Sequence, residues 1–134
     1  MRPILSSLVA AAAAIACAQA QGAPQRDAAD TGRVRAAIGN TIVETYPDGR
    51  QAEIWLKADG SYTGEGRRHD MSNGTWSVKG EQICFRQQHP SVPFGFGHLC
   101  RDIPEVSIGQ SWTSKAATGE PVKVRLARGH VVPS

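Results

Sequence analysis

The residues of this chain whose types can do chemistry are three cysteines (Cys17, Cys84, Cys100), four histidines (His69, His89, His98, His130) and a scatter of serines and acids. Cys84 and Cys100 have fifteen residues between them. Closing a loop of that size with a disulfide contributes ~3 kcal/mol on the chain-entropy account. The C-x-x-C spacing of a redox pair is absent, so a structural crosslink is the expected role. Among the histidines, only His89 and His98 have a reason to approach one another, across the base of that loop. No H-x-x-x-H or H-x-H pair falls on an expected regular element, so no metal site is anticipated and the histidines read as solvated or hydrogen-bonded.

The loop itself, His89 to His98, carries Phe94 and Phe96 near its tip. A loop tied at its base with aromatic anchors suits binding, because the crosslink has already met part of the ordering cost. The alternative is that both rings fold back and plug one end of the domain. For catalysis the search is negative: there is no G-x-S-x-G elbow, phosphate loop or H-E-x-x-H. Glu53 and Glu65 could meet across strands, where such acid pairs are ordinarily solvated. Neither enzymatic activity nor a cofactor is expected.

The elements that must position these residues are short strands. Thr41–Tyr46 is β-branched and aromatic, and Pro47-Asp48-Gly49 turns the chain. Gln51–Lys57 alternates, with Ala52, Ile54 and Leu56 on one side and Glu53, Trp55 and Lys57 on the other. Asp59-Gly60 is a strong hairpin signal before Ser61–Glu65. Gly66–Ser72 reads as a charged, solvated loop, and Asn73-Gly74 as the opening of a central hairpin, Thr75–Lys79 with Gln82–Gln87. His98 to Ile103 returns along it, and Pro104 stops that strand. Val106–Ile108 is expected to pair briefly. Ser111–Ala116 and Val122–Arg128 complete the set, and the tail from His130 is expected to fray. Lys123, Arg125 and Arg128 form a basic strip suited to guarding an edge strand.

Seven or eight such strands predict an all-β fold, a small antiparallel meander barrel or sandwich with one disulfide. Trp76 and Trp112 are its expected core anchors. One short helical turn is predicted at Thr31–Ile38, with Val34, Ala37 and Ile38 on one face.

Outside that domain, Arg2, the apolar run Ile4–Ala16 and the A-x-A site at Ala18–Ala20 read as an export signal over residues 1–20. The apolar run is shorter than the ~20 residues a membrane span needs. Ala14-Ile15-Ala16-Cys17 is a degenerate lipobox, so lipidation of Cys17 is the competing reading. Residues 21–37 are then a flexible leader and the helical turn, and 38–130 the β domain. Loss of Arg2 lowers the formal charge from +3 to +2, too mild to argue for nucleic acid. Periplasmic or secreted location is expected, with envelope anchoring the alternative.

The order Gly39-Asn40-Thr41-Ile42, Ala58-Asp59-Gly60, Gly74-Thr75-Trp76, Cys84-Phe85 and Cys100 resembles a group of uncharacterised secreted proteins common in Gram-negative bacteria. The resemblance spans roughly Ile38 to Leu126 and implies export and the disulfide, but no activity. Gly74-Thr75-Trp76 also resembles the lipocalin G-x-W, which in lipocalins lies on the first strand and here lies mid-chain. Thr75, Trp76, Gly80 and Cys84 are similar to a strand of the periplasmic inhibitors of secreted bacterial metalloproteases, small eight-stranded barrels with one disulfide and an inhibitory N-terminal tail. In that family the cysteine pairs with an upstream partner, whereas Cys100 lies downstream. The expectation is a monomeric, non-catalytic binding or interaction module for an unknown protein or small ligand. A protease inhibitor acting through Gln21–Asp30 is the alternative.

Overall fold

The computed structural model describes residues 31–95 and 97–132, with the backbone alone at Phe94. The expected signal segment, Cys17 and the leader Gln21–Asp30 lie outside the described residues. Eight strands follow one another: β1 (Thr41–Thr45), β2 (Gln51–Leu56), β3 (Ser61–Glu65), β4 (Met71–Lys79), β5 (Gln82–His89), β6 (His98–Asp102), β7 (Ser111–Lys115) and β8 (Pro121–Ala127). All pair antiparallel in one sheet of order β6-β5-β4-β3-β2-β1-β8-β7. Pairing of β1 with β8, Ile42 opposite Leu126, curls the meander into a nearly closed barrel. The barrel is therefore the outcome, and the sandwich is not. Among the described residues no helix is long and apolar enough to cross a membrane.

Period-two alternation decides what fills the barrel. Ile42, Leu56, Tyr62, Trp76, Val78, Ile83, Phe85, Val122, Val124 and Leu126 point inward and are buried. Each such side chain removed from water is worth roughly 1.5–3 kcal/mol. Trp76 lies in this core and its indole N–H donates to Lys57 O at 3.0 Å. Trp112 packs against the core from β7. The Asp59-Gly60 turn forms as expected, with Gly60 at φ 85° and Ser61 N–H donating to the Asp59 carboxylate at 2.9 Å.

The two ends of the barrel differ. At one end the 3-10 turn Gly32–Ala37 drives Val34 and Ala37 to zero exposure. Arg33 donates to Ile103 O at 3.1 Å and its carbonyl accepts from Val106 N at 3.0 Å. This turn and the segment carrying Ile103 and Val106 plug the end. Val106–Ile108 forms no strand here, because Val106 is spent as core instead. At the other end the chain turns after β1, β3, β5 and β7, and the interior stays open.

Three further expectations about the strands and the tail are overturned. Asn73-Gly74 does not open a hairpin: β4 already begins at Met71, and the pairing with β5 shifts register between Asn73 and Gly74. A Cβ at Gly74 would sit 2.0 Å from Arg86 O, so this glycine permits a bulge and not a turn. The basic strip on β8 guards no edge, since β8 lies between β1 and β7 and the edges are β6 and β7. The tail does not fray as far as Val131. Thr41 Oγ1 accepts from Trp55 Nε1 (3.0 Å) and Val131 N (2.8 Å) and donates to Gly129 O (2.6 Å), while Asn40 Oδ1 accepts from Gly129 N (2.7 Å). His130 stacks on Trp55 at 4.4 Å, which is how an outward tryptophan comes to be buried.

Gly74→Ala should cost ~3 kcal/mol or more, because the methyl meets rigid backbone from which it cannot turn away. Urea unfolding would report this as a lowered midpoint, whereas Gly80→Ala at an open turn should cost distinctly less.

Candidate functional site

The open end of the barrel holds a cavity of about 190 Å³. Its origin lies in small residues at inward positions. Across four neighbouring strands the inward row reads Ile42, Ile54, Gly64 and Ser72, and the next row toward the mouth includes Ala52. Gly64 leaves no spare room on its own wall, because an added Cβ would lie 3.2 Å from Ser72 Oγ and 3.3 Å from Glu53 O. The space is thus made by residue size and lies in the lumen, lined by Tyr62, Phe85 and Leu99 among others.

Two charged residues share that lumen. Glu44 of β1 and Arg101 of β6 fall on inward positions, and Arg101 Nη2 donates to Glu44 Oε1 across the interior. Their side chains are only 5% and 12% exposed. Arg101 also lies over the Phe85 ring at 5.5 Å and donates through Nη1 to Lys115 O at 3.4 Å. One guanidinium therefore ties β6 to β1, β5 and β7 across the unpaired seam. Taking two charges out of water costs several kcal/mol per ion, which the pair returns only with good geometry. A hydrophobic pair would fill this place with less penalty, so the ion pair marks a place where polarity is used.

Two phenols complete the polar lining. The Tyr46 hydroxyl is held above its ordinary value, first by burial and then by the Glu44 carboxylate, with Arg67 and Arg101 opposing. Burial likewise raises Tyr62, against a hydrogen bond with Ser72. Both remain protonated donors at neutral pH. On the rim Arg67 stacks on Tyr46 at 4.3 Å and pairs with Glu120 at 2.9 Å and Asp48 at 3.7 Å. Arg67 belongs to the segment expected to be a solvated turn, and it is instead a strut of the mouth.

The sequence-selected residues are distributed otherwise. Cys84 and Cys100 form the expected disulfide, directly opposite one another on β5 and β6 and on the outer face. His89 ends β5 opposite Asn73, while His98 faces Arg86, so the ladder gives the two histidines different partners. The loop between them stands at the mouth end and holds a 3-10 turn, Pro93–Gly95, with Gln87 N–H donating to Gly97 O at 2.7 Å. Phe96 and the Phe94 side chain lie outside the described residues. Glu53 and Glu65 do meet, as direct cross-strand partners, but Glu53 is not solvated. It is 1% exposed, and neither carboxylate oxygen has a hydrogen-bond partner among the described residues.

Sequence reasoning missed Glu44, Arg101, Tyr46 and Tyr62. The available signal was parity: Glu44 shares the inward parity of Ile42, and Arg101 that of Leu99 and Ile103. A charge on an inward position is the sequence trace of a buried pair. No protein-family model, curated protein or solved structure matches this chain.

Arg101→Met strands the Glu44 carboxylate in the lumen and should cost ~3–5 kcal/mol, whereas the Glu44→Met, Arg101→Met double variant should cost less than that single change. Urea unfolding of the four proteins closes the cycle. For Glu53, burial first and the facing Glu65 second raise the carboxyl above its ordinary 4.5, with His69 opposing. The folded state therefore binds this proton more tightly than the unfolded chain. The contribution is fully present below pH 4.5 and is lost as pH rises through the raised folded value. Glu53→Gln should accordingly raise the unfolding midpoint more at pH 7 than at pH 4, which paired urea titrations would show.

Proposed function

We propose that this chain is a small exported binding domain, non-catalytic, that receives a compact ligand in the open mouth of its barrel. The observation that carries the reading is the Glu44–Arg101 pair set in the wall of a lumenal cavity of about 190 Å³. Mouths of β-barrels are common ligand sites, lined by apolar side chains with a few fixed polar groups. The cavity lies below the ~300–1,000 Å³ of drug-sized sites, so the ligand is small. A carboxylate that accepts and a guanidinium that donates, side by side, suit a head group carrying both functions, such as a carboxamide or a lactam. Phe85 and Tyr62 offer faces for an apolar body.

Export is supported by the disulfide, since such crosslinks persist in oxidising compartments, and by the signal-like N-terminal sequence. The Pro90–Pro93 segment of the β5–β6 loop is exposed.

Benzamide is the probe, its ring matching the apolar wall and its amide the ion pair. Titrated into the isotope-labelled chain, it should move the backbone amide signals of Gly64, Gly66 and Leu99. Ser72→Leu, which fills the lumen from an inward position of β4, should abolish those shifts while leaving the rest of the spectrum intact. Shifts confined to the outer face, or undiminished binding to the filled variant, would sink the reading.

A further inference from the structure

We propose that the outer face of β5 and β6 holds a redox-gated site for a soft or borderline metal ion such as Zn(II), with Cys84, Cys100 and His98 as its three protein ligands. The site is separate from the lumen, because all three residues occupy outward positions of the ladder. Their donor atoms lie within 4.8 Å of one another. His98 and Cys100 are two apart on β6, which places both side chains on one face, and Cys84 stands directly opposite Cys100. The cross-strand register supplies a ligand set that no single stretch of sequence contains.

In the disulfide the two sulfurs are bonded to each other, so reduction must part them before they reach metal-ligand spacing, whereas the histidine edge is already in place. Bond lengths of ~2.3 Å to sulfur and ~2.0 Å to nitrogen give a zinc tetrahedron edges of ~3.5–3.8 Å. His98 Nε2 already lies 3.8 Å from Cys100 Sγ. Three protein ligands leave a fourth position open, and a surface depression of about 270 Å³ adjoins Cys84 and His98 there. Arg86 and Lys79 line the same depression and favour the thiolate form that binds metal.

Oxidation state is the gate. In the disulfide both sulfurs are committed to each other and neither is a thiolate. Cys100 is exposed, so a small thiol reductant can reach it. The exchange consumes two reductant thiols and yields the two cysteine thiols plus the reductant's own disulfide. Binding of M²⁺ by both cysteines and neutral His98 then releases two protons, leaving a complex with no net charge. The metal would replace one clip between β5 and β6 by another, so the seam-side edge of the barrel stays fastened in both states.

The experiment uses the mature chain, reduced with a phosphine, and Co(II) as spectroscopic probe. The reduced chain should show thiolate-to-cobalt charge-transfer absorption saturating at one equivalent and displaced by Zn(II), and the oxidised chain should show none. His98→Ala keeps both thiols and should weaken Co(II) binding by more than ~tenfold. Equal affinity in that variant, or no charge-transfer band in the reduced parent, overturns the proposal. Amide spectra of the zinc-loaded chain complete the test: a folded barrel supports it, and metal held by an unfolded chain refutes it.

Discussion

The barrel closes along a seam that has no backbone ladder, and one guanidinium spans it. Strands β6 and β7 are the two edges of the sheet, and Arg101 reaches from β6 to Lys115 O on β7 while its other arm meets Glu44 on β1. An open edge is a template for pairing with other chains. Here it is met from inside by a charged side chain, and from outside by the Cys84–Cys100 bond, which fixes β6 to β5. The crosslink and the ion pair act on adjacent residues of β6, one facing out and one facing in. That strand has only one ladder neighbour and is secured by both faces.

The same arrangement leaves the lumen polar on one side and partly empty. A lumen filled by aliphatic side chains would have been the simpler way to gain stability in so small a core. Instead Ser72 and Ala52 stand on inward positions facing the cavity, and the charges stand where apolar residues would incur less desolvation. The plugged end carries the apolar load, with Val34, Ala37, Ile103 and Val106 packed against the barrel floor. The apolar packing is concentrated at one end, and the other holds the cavity.

The outer wall has its own organisation. Asn40 and Thr41, two residues of the G-N-T motif, receive the C-terminal segment through Gly129 and Val131. That contact explains why Trp55, on the outward parity of β2, is buried under His130. A motif that reads as a plain turn-and-strand start is in fact the dock for the far end of the chain.

What the sequence determined by itself was local: seven or eight short strands, most of their turns, the helical turn and the pairing of Cys84 with Cys100, on the expectation that Cys17 belongs to a signal segment. Period-two alternation and turn chemistry act over a few residues and can be read over a few residues. Tertiary structure alone decided that the meander closes through β1 and β8, that Gly74 serves a bulge, and that the tail docks. It also brought Glu44 to Arg101, 57 positions away, inside the barrel. The physical reason is that curvature sets which inward residues face one another across a barrel, and curvature accumulates over the whole sheet.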